Sequence, residues 1–138
     1  MTQQPQPTFS YSPRKEWKYK TDALIVIRTE VCPPTHIISE FIELSPDGKL
    51  SIHKGYAWDG PSGPALDTPS GMRASLVHDA LYQLMRMGLL PMTWRKQADL
   101  ELRRIAREDG MSLIRSHYWY LAVRMFTAKT LKHKEGVL

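Results

Sequence analysis

The residues best suited to chemistry lie close together. His78 and Asp79 are adjacent, Tyr82 follows one helical turn later, and Asp99 sits further on in "KQADLELRRI". An imidazole whose one nitrogen is held by a carboxylate can use the other as a general base towards water. Upstream, "GYAWDGPSGPALDTPSG" (55–71) places Asp59 and Asp67 among glycines and prolines. Carboxylates and converging backbone carbonyls are hard oxygen donors of the kind calcium prefers. A cation beside a base suits ester hydrolysis, because it steadies the oxyanion while the base takes the proton.

Two helices must position these groups. Val77, Leu81 and Leu84 form an apolar stripe with His78 at its edge, and Asp79 is turned about 100° further round. Gly88 and Pro91 end that helix. Thr93 is expected to cap a second one, carrying Trp94, Ala98, Leu102 and Ile105, with Asp99 at the stripe's edge. A short connection makes the two antiparallel, so His78 and Asp99 fall at similar heights and can face one another. Ser112 should cap a third helix whose core face reads Ile114, Tyr118, Leu121, Met125 and Ala128.

The N-terminal half reads as strands. "DALIVIRTEV" is expected to be a buried strand, and residues 37–44 and 49–54 a hairpin around Pro46-Asp47-Gly48. The expected fold is α+β: a small antiparallel β unit, a turn-rich loop, then three helices with an antiparallel helical hairpin. By residue, 1–13 form an extended arm and 14–128 one domain (β part 17–55, loop 56–72, helices 73–128). Residues 129–138 form a basic tail.

Composition narrows the setting. A chain of 138 residues holds one core, and its single cysteine, Cys32, excludes an internal disulfide framework. The net charge of +5 suits an anionic neighbour, a lipid surface among them, although solubility alone accounts for so modest an excess. No signal peptide or membrane span is read, and nucleic acid is not the expected partner. A virion or a host cytoplasm is the expected location.

Two resemblances follow from these motifs. "HDALY" followed by "KQADLELRRI", with "YAWDGPSGPALD" upstream, resembles the phospholipase A(2) superfamily over residues 55–107, especially the disulfide-free form in parvovirus capsid proteins. That resemblance implies His78 as base, Asp99 as its orienting partner and Tyr82 as a buttress. It also implies calcium held by Asp79 and by carbonyls near Trp58, Gly60 and Gly63. The bulky Trp58 and the inserted Ser62 depart from the family's loop. Over residues 20–126 the chain resembles a family of short phage and prophage proteins of unknown function. The motif there is G-(F/Y)-x-x-D-x-x-S-x-P (Gly55, Tyr56, Asp59, Ser62, Pro64), then HD-x-L-Y, an "AD" helix and "YLAVRMF". It adds weight to Asp59 and implies a virion-associated protein that contacts other virion proteins, here through the N-terminal arm.

Each motif also has a plainer reading. His78, Asp99 and Tyr82 could form a buried network that only fixes two helices, and Asp59 could cap a turn. The methionines read as core filler. Trp94, Tyr118, Trp119 and Tyr120 are either an interfacial patch or packing aromatics. His36, His53, His117 and His133 lack metal-ligand spacing. Three classes therefore stay open: a calcium-dependent phospholipase-like esterase in a phage tail or capsid; a non-catalytic assembly protein; and, last, a His-Asp metal phosphohydrolase, which would need further histidine ligands.

Overall fold

In the computed structural model, the described residues are 11–13, 19–61 and 69–137, with side-chain surroundings for 19–61 and 69–126. The fold is α+β, as expected: two small antiparallel sheets followed by three helices. One sheet holds β1 (Tyr11–Pro13), β2 (Tyr19–Thr21) and β7 (Ala57–Trp58) in the order β1-β2-β7. The other holds β3 (Ile25–Arg28), β4 (Ile37–Ile38), β5 (Ile42–Leu44) and β6 (Lys49–Ile52), ordered β3-β6-β5-β4. The last three residues of the expected arm are therefore the edge strand β1, and residues 1–10 lie outside the described ones.

Thr21 joins the sheets. Its backbone bonds Gly55 and Tyr56, and its hydroxyl donates to the carbonyl of His53 while accepting from the amide of Tyr56. A fully buried threonine is tolerated because all its polar groups have partners.

Two strand expectations change. β3 is not buried on both faces: Ile25 and Ile27 enter the core, whereas Val26 and Arg28 face outward. The run 37–44 is two strands, because the Ser39 hydroxyl donates to the Ile42 carbonyl and accepts from the Ile42 amide, closing a turn over Glu40 and Phe41. The predicted turn at Pro46-Asp47-Gly48 is present and tightly packed. Gly48 has φ +88°, and a Cβ there would meet the Thr29 carbonyl oxygen at 2.0 Å. That carbonyl belongs to a residue whose amide and hydroxyl both donate to Gly48, so neither side can retreat. Gly48→Ala should cost roughly 3 kcal/mol, read as a lower denaturant midpoint at unchanged slope.

The helices are α1 (Pro69–Arg86), α2 (Arg95–Glu108) and α3 (Leu113–Val137). Strand β7 and the first turn of α1 occupy both ends of the segment read as loop 56–72. Gly88 ends α1 with φ +75°, as its position after the apolar stripe implied. Thr93 does not cap α2: it lies in a 3-10 turn, Met92–Trp94, and no side chain caps that helix start. Ser112 does cap α3, its hydroxyl accepting from the amide of Arg115. α3 continues to Val137, through the residues read as a tail.

α1 and α2 form the antiparallel hairpin, clamped at the start of α1 by Arg73, which donates to both oxygens of Asp109. α2 is tied to the β unit by Glu101, almost fully buried, which accepts from the amide of Glu30 and from Arg104. Trp58 pins β7 to α1 by donating its indole N–H to Ser75. The third helix departs from expectation. Its buried face is Ser116, Trp119 and Val123, and Ile114, Tyr118, Leu121 and Met125 are exposed. Trp119 is therefore a core residue, not part of a surface patch. Among the described residues no helix is long and apolar enough to cross a membrane.

Candidate functional site

The hairpin brings His78 and Asp99 together. His78 Nε2 lies 2.6 Å from Asp99 Oδ1, and the Tyr82 hydroxyl donates to the same oxygen at 2.6 Å. The other oxygen accepts from Arg124 of α3 at 2.8 Å, with Arg95 at 3.9 Å. Tyr82 stacks obliquely on the His78 ring, with centroids 4.2 Å apart. Spacing of four residues on α1 puts both rings on one face, and α2 presents the carboxylate to them.

Asp99 is completely buried. Burial alone would raise its pKa, but hydrogen bonds from His78, Tyr82 and Arg124, with the charge of His78, outweigh it and hold the carboxyl below its ordinary range. An ionised carboxylate only accepts, so in the neutral ring Nε2 carries the proton and Nδ1 keeps a free lone pair. No hydrogen bond reaches Nδ1 among the described residues, yet every fully buried side-chain nitrogen or oxygen there has a partner. His78 is itself largely buried, at 8% exposure, so Nδ1 is a base with its lone pair uncommitted inside a mostly water-excluded setting.

The sign of the Asp99 shift sets a pH dependence. A carboxyl held low in the folded state adds stability above its unfolded pKa of about 3.9, and this is lost as pH falls through the folded value. Urea midpoints should drop steeply below about pH 4 in wild type and less steeply in Asp99→Asn.

Asp79 takes a different position. It lies in the wall of a cavity of about 470 Å³ between α1 and the turns at 39–42 and 55–57, with Gln83, Arg86 and Met87 beside it. Tyr56 donates its hydroxyl to Asp79 Oδ2 at 2.5 Å, and Arg86 stands 4.0 Å from Oδ1. Desolvation raises the Asp79 pKa, opposed by the Tyr56 hydrogen bond and by Arg86 and His78, with Asp59 adding to the rise. Burial and the neighbouring carboxylate push the Tyr56 phenol well up, so it remains the donor. An Asp whose pKa is raised on folding weakens the fold at neutral pH. Asp79→Asn should therefore raise the melting temperature slightly at pH 7, and the gain should vanish as pH drops below the ordinary carboxylate range, followed by calorimetry.

The expected calcium ligands are only partly brought together. Asp59 is exposed but near enough to Asp79 to act on it electrostatically. The Trp58 indole donates to Ser75, and Gly60, at φ +83°, packs beneath the ring of Tyr19; neither contact engages the backbone carbonyls expected to meet calcium. Gly63, Ser62, Pro64 and Asp67 lie outside the described residues. A phenol donates to one oxygen of Asp79, and a guanidinium stands 4.0 Å from the other. Among the described residues no group of three or more His, Cys, Asp or Glu side chains could hold a metal. No step below runs through a metal.

Three residues of this constellation had no role assigned from the motifs: Arg124, Arg95 and Tyr56. Arg124 lay in "YLAVRMF" and Tyr56 in "GYAWD", but those two contacts span too many residues for spacing to find. Arg95 stands four residues before Asp99 on the same helix, a spacing that could have found it. No family model, characterised protein or solved structure matches the chain.

Proposed function

We propose that this chain is a hydrolase in which His78 is the general base, oriented by Asp99 and buttressed by Tyr82, acting on a carboxylic ester of phospholipid type. The observation that carries it is the 2.6 Å contact from His78 Nε2 to Asp99, which leaves the lone pair of Nδ1 uncommitted among the described residues. Nδ1 takes a proton from water as the oxygen attacks the ester carbonyl. The resulting imidazolium is stabilised by the buried carboxylate, then returns the proton to the leaving alkoxide. The choice of ester rests on the order of motifs shared with the phospholipase A(2) superfamily, and the phage-particle setting on the second sequence resemblance.

The test is release of fatty acid from phospholipid vesicles by the full chain, with calcium and with a chelator. Release by wild type supports the reading; none under either condition overturns it. Tyr82→Phe should retain folding and lower the rate about tenfold, since one of the bonds orienting Asp99 is lost.

A second reading has its own observation. Asp99 accepts from α1 through His78 and Tyr82 and from α3 through Arg124, so it ties three helices at one buried point. In an assembly protein without catalysis that knot would be its whole purpose. Hydrolysis in wild type decides between the two.

A further inference from the structure

We infer that the outward face of α3 docks on a negatively charged lipid surface. Ile114, Tyr118, Leu121 and Met125 recur at spacings of four, three and four, forming one stripe opposite the buried Ser116, Trp119 and Val123. They are far from covered: Ile114 is 73% exposed and Met125 69%. Leu113 and Phe126, at 65% and 68%, are also exposed, one to each side of the stripe. A helix apolar on two opposite faces needs a second apolar phase for the outer one.

Charge selects that phase. Arg115 flanks one side of the stripe, and on the other Arg103 donates to His117 and lies over the Tyr120 ring. Apart from Arg124, which is paired with the buried Asp99, the sequence between Leu113 and Leu138 has four Lys or Arg residues (115, 129, 132 and 134) and a single acidic one, Glu135. A second copy would set one such cationic helix against another, with repulsion along their length. An anionic bilayer supplies both an apolar phase and the opposite charge, the combination that holds amphipathic helices in an interface. The helix lies on the membrane; it does not cross it. The docking goes beyond the hydrolase reading, for it needs neither His78 nor Asp99.

Sedimentation of the full chain with vesicles of equal parts phosphatidylglycerol and phosphatidylcholine tests it. Wild type should bind, and its partitioning should fall at least tenfold on phosphatidylcholine alone or in salt of about 0.5 M, where charge is screened. Tyr118→Ser with Met125→Ser should lose binding at an unchanged melting temperature, both positions being exposed. His78→Asn should bind as wild type does, which separates docking from hydrolysis. Absence of wild-type binding to the anionic vesicles overturns the inference. So does equal binding to neutral ones, or a wild-type dimer in solution that the double substitution dissociates.

Discussion

His78→Asn should abolish hydrolysis, lowering the rate about a thousandfold, while the chain still folds. A positioned general base contributes about 10²–10⁴ to a rate, and asparagine supplies no lone pair of comparable basicity. The shorter amide does not span the 2.6 Å contact to Asp99, but that carboxylate keeps Tyr82 and Arg124. The stability loss should then be about 1.5–3 kcal/mol, the worth of one hydrogen bond to a charged group. Fatty-acid release and urea unfolding, measured on the same preparation, check both halves. A variant that hydrolyses within tenfold of wild type removes His78 as the base. A variant that no longer folds moves the case to the structural reading.

Asp99→Ala should be the costliest single change in the helical half, at about 3–5 kcal/mol. The carboxylate is fully buried, and its loss strands Arg124, Tyr82 and His78 together. Removing one member of a buried charged network leaves its partners desolvated and unpaired, which costs more than the network contributes net. Asp99→Asn keeps the shape and part of the bonding, so it should lose less stability. It should still lose most activity, because an amide can hold the ring in the wrong tautomer. The expected signature is therefore a split: Ala fails in unfolding experiments, whereas Asn fails chiefly in the assay. Equal stability of wild type and Asp99→Ala would show that the network is not load-carrying in the fold.

The two variants also separate the roles of the hairpin. If hydrolysis tracks His78 and folding tracks Asp99, one carboxylate serves both as orienting partner and as the tie between α1, α2 and α3. Buried networks are conformationally specific only when their buried members are satisfied, and among the described residues every fully buried side-chain nitrogen or oxygen has a partner.

Much of the site was legible because it is built from local rules. Apolar spacing of 3.6 placed His78 and Asp99 at the edges of their stripes, and Gly88 with Pro91 set the short connection that makes the helices antiparallel. Heights along two such helices then follow from the rise per residue. Turn chemistry located Pro46-Asp47-Gly48 for the same reason: a left-handed residue and a fixed φ are local demands. The break at Ser39 was less legible, since a serine hydroxyl closing a turn competes with an alternating pattern that also fits one continuous strand.

What the chain alone determined is the α+β order, the helical hairpin and the pairing of imidazole with carboxylate, all set by periodicity and turns within short spans. Tertiary structure decided which stripe of α3 is buried, since Ile114-Tyr118-Leu121-Met125 and Ser116-Trp119-Val123 both repeat at helical spacing. It also decided that Arg124 completes Asp99 and that Tyr56 claims Asp79. Periodicity says that a face is apolar or a group polar; only the surface brought against it from distant sequence says what that face or group meets.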